Sequence, residues 1–243
     1  MSSFREAIET SFPGAMPSAN YLKGVRSAIE PMGFNAETTL SLVSICRDEL
    51  TTPFFDQIEA DWGNAFQLAG LGGVPALGWT GWTAALSHVP NYGGRGGVLV
   101  FGFPHIGIEE DGTIGVTIRP GQSTPTSTCG ALASISAQAK AGTLPTEVDV
   151  DDFEATKLAL RLVDPIHHPT PDILELTIAA LDALEVDLWR ALDRFEVWRD
   201  HDVTVWCGVQ IHAHGADWVW PRDAWYSGAD GHRRRVVMEP DEF

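Results

Sequence analysis

Short, almost entirely apolar segments recur along this chain, and residues with a helical pattern lie between many of them. TTLSLVSIC at 38–46 and GGVLVFGF at 96–103 have the length of strands and are rich in aliphatic and β-branched side chains. Short apolar runs of this kind are typical of buried strands. Because such strands alternate with helices, the sequence predicts an α/β fold in which a mixed central sheet is flanked by helices as a sandwich.

The remaining elements are predicted from periodicity and from residues that begin or end helices. Leucine and isoleucine recur every three or four residues through 172–196, so this segment is the clearest helix. A helix is expected to begin at Pro53, since proline is favoured in the first turn, and to extend through QLAG at 67–70. Further helices are predicted at 4–12, 18–29, 83–89, 130–142 and 151–164, and further strands at 112–120, 202–214 and 233–238.

The charge balance limits the classes of partner. With 33 acidic and 16 basic residues, the net charge of −17 argues against nucleic acid or an anionic membrane as a partner and fits a small-molecule function. The N-terminal residues lack the apolar core of a secretory signal, and no stretch reaches the ~18 apolar residues that span a bilayer. Three cysteines, an odd and sparse set, are typical of reduced thiols. We therefore expect a cytoplasmic protein.

Three residues that can bind a metal occupy similar places in the predicted fold. Cys46 ends the first buried strand, His105 follows the second, and Cys129 directly precedes a helix. Strand ends and helix starts are where α/β folds build their sites. Two thiolates and one imidazole suit zinc, and three protein ligands leave a fourth position for water, as in catalytic zinc sites. Each residue also has an ordinary explanation, because a buried cysteine packs as a small hydrophobe and a histidine beside proline often bonds to backbone.

A carboxylate follows the first of these cysteines. Asp48 lies two residues after Cys46, and on an extended strand side chains at i and i+2 share a face. Its carboxylate could accept a hydrogen bond from a metal-bound water. Arg47 could hold Asp48 ionised and keep it off the metal.

The segment from GVPALGWTGWTAALSHVP through FGFPHIGIEEDGTIGVTIRPG, followed by CGAL, resembles the limiting-carbon-dioxide-inducible protein B/C family. The likeness is strongest over residues 35–135, where CRDE, TGW, SHVP, PHIGI and CG occur in order. That family is related in fold and site to β-type carbonic anhydrases, and its active members have been called θ-type. The resemblance implies a β-carbonic-anhydrase-like sandwich, zinc-dependent hydration of carbon dioxide to bicarbonate, and a homodimer or a higher homo-oligomer.

The resemblance also implies a domain organisation and roles for individual residues. We expect a single domain over residues 1–243, with an N-terminal helical segment (1–35), a zinc-site core (36–142) and C-terminal helices and strands (150–243). Cys46, His105 and Cys129 would be the zinc ligands, and Asp48 and Arg47 would form the Asp–Arg dyad.

The order of the dyad residues departs from the ordinary β-type pattern. That pattern is Cys-x-Asp-x-Arg, whereas here Arg47 precedes Asp48, so strict strand alternation would point Arg47 to the opposite face. Either the backbone turns at Cys46, or another arginine, such as Arg95 or Arg119, pairs with Asp48.

The implied reaction suggests further roles. Zinc lowers the pKa of its water toward ~7, which gives hydroxide near neutral pH. Carbon dioxide is expected in an apolar pocket, for which Val43, Phe101 and Phe103 are candidate lining residues. His88 is the candidate proton shuttle, because histidine usually titrates near neutrality. A packing or capping role for His88 is equally open.

Other interpretations remain open at this point. Family members that keep the ligands can lack activity, so the alternative is a catalytically silent zinc-binding protein that handles inorganic carbon through partners. His212 and His214 form an HxH on a predicted strand and could centre a second metal site. Cys207, in an apolar strand, is expected in the core. The glycines within 70–81 are expected to let the backbone pass close to the site or to a dimer partner.

Overall fold

The computed structural model describes residues 3–91, 94–163, 170–213 and 215–238, and helices and strands alternate along them. The helices are α1 (Ser3–Ser11), α2 (Ser18–Ile29), α3 (Thr52–Trp62), α4 (Trp79–Leu86), α5 (Gly130–Ala141), α6 (Phe153–Val163) and α7 (Ile173–Arg194). The strands are β1 (Met16–Pro17), β2 (Thr39–Ile45), β3 (Ala65–Gln67), β4 (Gly96–Phe103), β5 (His105–Ile108), β6 (Val116–Thr117), β7 (Thr126–Ser127), β8 (His201–Ala213), β9 (Trp218–Pro221), β10 (Ala224–Ser227) and β11 (Arg233–Val236).

The large sheet has a parallel centre and antiparallel additions. Strands β3, β2, β4 and β8 are parallel neighbours in that order. Strands β9 and β10 pair antiparallel with β8, and β1 and β11 extend them. The predicted mixed central sheet is therefore confirmed.

Strand β8 organises the sheet because it is long enough to pair with two strands in succession on each side. Its first half pairs with β4, and its second half pairs with β5. Pro104 separates β4 from β5, since proline has no N–H to give to the ladder. The parallel register continues across this break, from Gly102 opposite Cys207 to His105 opposite Gln210.

Helices cover both faces of the sheet. On one face, α2 and α3 bury an aromatic-rich cluster against β2, β4 and β8. On the other face, α1 and α4–α7 pack over the alternate residues of the same strands. This arrangement is the predicted sandwich, and none of the described helices has both the length and the apolar character needed to cross a bilayer.

The clearest predicted helix is also the best capped. Asp172 accepts a hydrogen bond from the backbone N–H of Glu175 at 2.9 Å, and the Glu175 carboxylate accepts one from the N–H of Asp172 at 2.9 Å. This reciprocal capping box satisfies two backbone donors at the start of α7. The helix ends at Arg194, close to the predicted boundary.

Two predicted elements were wrong in extent. The helix that includes Pro53 ends at Trp62 instead of residue 70, because Gly63 adopts a φ of +80° that glycine tolerates, and the following residues form β3. Only Val116 and Thr117 of the predicted strand 112–120 form a strand, which pairs with β7 in a separate two-stranded sheet. The strand that joins the large sheet instead is β5, immediately after Pro104.

Candidate metal centre

The three predicted ligands meet at one buried point. The Sγ atoms of Cys46 and Cys129 and a ring nitrogen of His105 all lie within 4.8 Å of one another. All three residues are buried, and His105 has no exposed surface. Groups separated by 59 and 24 positions in the sequence therefore form one cluster.

Neighbouring strands bring Cys46 and His105 together. Strands β2 and β4 are parallel and adjacent, with Ile45 opposite Phe103. Residues that follow the carboxyl ends of parallel strands meet at the same edge of a sheet. Cys46 directly follows β2, and His105 begins the strand that continues β4, so both side chains reach this edge.

Cys129 reaches the cluster because a glycine allows two backbone segments to approach closely. Gly115 donates to the carbonyl of Gly107 at 2.8 Å, and Thr128 donates to the carbonyl of Gly115 at 3.0 Å. A Cβ atom at Gly107 would lie 2.1 Å from the Thr128 hydroxyl oxygen. Glycine at 107 thus lets the residue before Cys129 lie directly against β5.

The chemistry of the cluster fits a soft divalent metal such as zinc. Nδ1 of His105 is 3.0 Å from Nε2 of His212, whereas Nε2 of His105 is buried and has no hydrogen-bond partner in the described chain. A hydrogen bond from the Cys129 thiol is the main cause of a lowered pKa at Cys46, and the same bond raises the pKa of Cys129. Two neighbouring cysteine sulfurs and a buried imidazole nitrogen are the donor set that zinc takes.

Asp48 is held beside this cluster by Arg119. Nη1 and Nη2 of Arg119 donate to Oδ1 and Oδ2 of Asp48, each at 2.8 Å, and the backbone N–H of Leu50 donates to Oδ1 at 3.1 Å. Burial by itself would raise the pKa of Asp48, but the hydrogen bonds from Arg119 and Leu50 outweigh it and lower the pKa. Asp48 is therefore an oriented carboxylate rather than a neutral acid.

The expected Arg47–Asp48 pair is not formed, and this prediction is corrected. Arg47 is exposed; it makes an ion pair with Glu154 on α6 at 2.8 Å and donates to the carbonyl of Ala69. The side chains of the adjacent residues Arg47 and Asp48 point in different directions, as the unusual residue order indicated. Of the two other arginines considered, Arg119 is the partner, whereas Arg95 binds Asp202 and backbone carbonyls near the start of β8.

Comparison with known proteins agrees with this geometry. Residues 15–227 match the family described as limiting CO2-inducible proteins B/C beta carbonic anhydrases. The chain belongs to this family. No curated protein sequence matches it.

Solved structures with the same fold carry related descriptions. The crystal structure of limiting CO2-inducible protein LCIB has a TM-score of 0.77 and 27% identity, and the alignment covers 95% of this chain and 97% of that one. The structure of PtLCIB4, described as a homolog of LCIB, has a TM-score of 0.79 and 23% identity, covering 96% and 100%. A histidine-to-alanine variant of PtLCIB4 has a TM-score of 0.80 and 23% identity, covering 97% and 99%. The sandwich is thus a carbonic-anhydrase-like fold.

A small cavity lies beside the cluster in this family member. It has a volume of about 300 Å³, and its walls include Cys46, Asp48, Thr51, Phe55 and Ala69. The residues expected to line a substrate pocket lie elsewhere.

That expectation is corrected, because the three residues named for it belong to the core. Val43, Phe101 and Phe103 have no exposed surface and pack on the α2–α3 face of the sheet. Phe103 makes an edge-to-face contact with Phe54 at a centroid distance of 5.3 Å. Ile45 and Phe55, which line the cavity, belong to the same face of the sheet, so these three residues miss the cavity because they lie deeper in the core.

His88 is exposed and lies just after α4. Its ring meets the edge of Phe66 on β3 at a centroid distance of 5.7 Å. Strand β3 also supplies Gln67 to the wall of the cavity. Phe66 and Gln67 are adjacent on the strand and face opposite sides of the sheet, so the contact with Phe66 does not place His88 in the cavity wall.

Of the two histidines considered for a second metal site, His212 lies within the described residues, on β8. His212 is buried against His105, and its Nδ1 lies 3.1 Å from Oδ1 of Asp217. Burial lowers the pKa of His212. Among the described residues the metal-binding cluster is Cys46, His105 and Cys129, and His214 lies outside them.

Asp217 is a site neighbour that sequence reasoning missed, and His212 was considered only for a second metal site. The pairing of β5 with β8 places Gln210 opposite His105 and His212 opposite Gly107, so His212 lies two residues from the partner of His105. Only recognition of 105–108 as a strand would have revealed this.

Cys207 is buried elsewhere on β8, as expected for a core residue, and the Cβ of an alanine at Gly102 would approach its sulfur.

The glycine-rich segment does pass close to the site. A Cβ atom at Gly73 would lie 2.7 Å from the carbonyl oxygen of Phe103, two residues before His105, and Gly73 has a φ of +80°. Both the close approach and the backbone conformation require glycine. The carbonyl of Gly73 also accepts a hydrogen bond from the buried Ser44 hydroxyl at 2.8 Å.

Proposed function

We propose that this chain is a zinc-dependent carbonic anhydrase that catalyses the reversible hydration of carbon dioxide to bicarbonate. The observation that carries the proposal is the buried Cys46–His105–Cys129 cluster beside a carboxylate fixed by Arg119. Family membership supports the same reaction class.

The three clustered side chains would hold the metal. Cys46 and Cys129 would bind through Sγ and His105 through its unpaired Nε2. Three protein ligands are typical of catalytic zinc sites. When bound, zinc supplies a Lewis acid that lowers the pKa of a coordinated water toward ~7.

Asp48 would orient the attacking group. Its two oxygens are fixed by the Arg119 fork, so one carboxylate oxygen can accept a hydrogen bond in a defined direction. Because Arg119 keeps the carboxylate ionised, Asp48 acts as an acceptor over the neutral pH range. Without the arginine, a carboxylate this close to the cluster could bind the metal itself.

The cavity beside Cys46 would receive the substrate. Its volume of about 300 Å³ exceeds what carbon dioxide needs, and Phe55 and Ala69 supply apolar wall area. His88, an exposed residue just after α4, is proposed to pass protons to solvent. We further propose one domain, a homodimer or higher homo-oligomer, and a cytoplasmic location.

The test is an oxygen-exchange or stopped-flow assay of carbon dioxide hydration, with zinc quantified on the same sample. We expect about one zinc per chain and a hydration rate well above the uncatalysed one. His105→Ala should lose both zinc and activity. A chain that holds zinc yet does not accelerate hydration would be the catalytically silent protein instead, and a His105→Ala variant that keeps its zinc would refute the ligand assignment.

A further inference from the structure

Behind the candidate metal ligand His105, a line of polar groups runs toward the start of β9. Nδ1 of His105 lies 3.0 Å from Nε2 of His212, and Nδ1 of His212 lies 3.1 Å from Oδ1 of Asp217. The other Asp217 oxygen, Oδ2, accepts a hydrogen bond from Nε2 of Gln210 at 3.0 Å. His105, Gln210 and His212 are buried, and the Asp217 side chain is 23% exposed.

The proton positions in this line can be assigned from its acceptor end. An ionised carboxylate only accepts hydrogen bonds, so the His212 nitrogen that faces Asp217 carries the proton. Nε2 of His212 is then the unprotonated nitrogen and accepts from Nδ1–H of His105. Nε2 of His105 is consequently left with a free lone pair, and it is the nitrogen directed away from the line and without a partner.

The reverse direction fails at the Asp217 end. It would turn the unprotonated nitrogen of His212 toward the Asp217 carboxylate, at 3.1 Å, so two acceptors would face each other. A buried acceptor left without a donor costs about 1–3 kcal/mol, which is enough to select the first direction.

We propose that Asp217 and His212 are positioning residues that set the tautomer and ring orientation of His105 before any metal binds. The carboxylate acts through two imidazole rings, so that Nε2 of His105 presents its lone pair to the space between the Cys46 and Cys129 sulfurs. Partners behind a ligand histidine generally raise its basicity and fix its direction. This inference rests on the proposed function in one respect only, the binding of zinc by the cluster.

The experiment combines metal affinity with a direct reading of the tautomer. Zinc affinity is measured by competition with a chromophoric chelator for the unmodified chain, Asp217→Ala and Asp217→Asn. The tautomer of His105 is read from imidazole ¹⁵N–¹H correlations of the metal-free protein. Asp217→Asn has nearly the same shape as the natural residue, so it remains informative if Asp217→Ala folds poorly.

We expect the metal-free unmodified chain to carry the His105 proton on Nδ1. Asp217→Ala should lose this preference and bind zinc about 10–100-fold more weakly, and Asp217→Asn should lie between the two. The matched control is Asp202→Asn, which makes the same change at the opposite end of β8, where Asp202 accepts from Arg95. The control should keep the unmodified zinc affinity and tautomer.

Two results would overturn the inference: a His105 that carries its proton on Nε2 in the unmodified metal-free chain, or an Asp217→Ala chain with unmodified zinc affinity. The tautomer is read without metal and without substrate. A chain that proves inactive in hydration therefore refutes the proposed function but leaves this test fully readable.

Discussion

Arg119 forms a two-point ion pair with Asp48, with Nη1 to Oδ1 and Nη2 to Oδ2 both at 2.8 Å. The same guanidinium donates to the carbonyl of Thr128 at 3.0 Å. Asp48 and Thr128 flank Cys46 and Cys129, so one side chain ties together the segments that carry two candidate ligands. This relationship makes Arg119 more important to the site than Arg47.

Replacement of Arg119 by lysine should impair hydration without removing the metal. Lysine keeps the charge but cannot make two parallel hydrogen bonds, so Asp48 would lose its fixed direction. We expect kcat/KM to fall about 10²-fold, the lower range for loss of an acid–base group, with zinc content unchanged. Arg199→Lys is the matched control and should retain nearly full activity, because Arg199 makes an exposed ion pair with Glu196 away from the cavity. Equal losses in the two variants would argue against the assigned pair.

The two buried cysteines Cys129 and Cys207 provide a sharp test of the ligand set. Both have at most 2% exposed surface, so serine introduces a similar buried hydroxyl at each. Cys129→Ser should lose most bound zinc, because a serine hydroxyl is a poor zinc ligand at neutral pH. Cys207→Ser should keep it. Elemental analysis after dialysis compares the zinc content per chain of the two variants. Zinc loss confined to Cys207→Ser would exclude this centre.

Alanine at Gly107 should disturb the centre through backbone packing alone. Its Cβ would meet the Thr128 hydroxyl and the carbonyl of Val116, at 2.1 and 2.3 Å, and push the segment before Cys129 outward. We expect a loss of roughly 1–3 kcal/mol in the free energy of unfolding, together with weaker zinc binding. Gly130→Ala is the control, since a Cβ there meets no atom within 4 Å. Thermal unfolding of both variants measures the difference, and an unaffected Gly107→Ala would contradict the close approach.

His88→Ala should slow the reaction only when solution buffer cannot carry protons. His88 is exposed and touches Phe66, so its loss should leave the fold intact. In dilute buffer we expect kcat to fall about 10-fold or more, and added imidazole should restore it. The control is His232→Ala, another exposed histidine, located near β11. A variant whose kcat does not respond to imidazole would leave His88 with a packing role.

Glu185 on α7 should reduce stability as the pH rises. Burial raises the pKa of its carboxyl above the ordinary 4.5, despite the opposing charge of Arg222. The folded chain therefore binds this proton more tightly than the unfolded chain, and the resulting stability is present below pH 4.5 and lost as the pH rises through the folded pKa. Glu185→Gln removes this loss.

We accordingly expect Glu185→Gln to unfold at a higher temperature than the unmodified chain at pH 7.5, with the difference disappearing in acid. Glu196→Gln serves as the control, because it only removes an exposed ion pair with Arg199, which contributes little. Calorimetry between pH 4 and 8 would show the trend. A difference that grows toward acid pH would have the wrong sign.

Part of this structure was readable from periodicity and spacing. The apolar run 38–46 contains β2, Thr39–Ile45, and the run 96–103 is β4. The glycine that ends the helix predicted at 130–142 is the left-handed cap of α5. These succeed because short-range patterns encode burial and helix ends directly. The predicted single domain and oligomeric state remain predictions.

The partner of Asp48 was not readable in the same way. Arg119 lies in the loop between β6 and β7, and the pairing of Val116 with Ser127 folds this loop back toward the site. A continuous strand at 112–120, as predicted, would have placed Arg119 within the strand and not in a loop that turns back. Two-residue strands leave no periodic signal, so the sequence could list Arg119 only as one of several candidates.

The sequence by itself determined the alternation of strands and helices. It also placed Cys46, His105 and Cys129 at the ends of these elements, because local sequence patterns show which segments are buried and where the chain turns. Only the tertiary structure decided that Arg119 pairs with Asp48, and that His212 contacts His105 and is itself bonded to Asp217. Those contacts span 71 and 107 positions along the chain. They depend on strand register and on two close backbone approaches, and both arise only when the whole sheet has assembled.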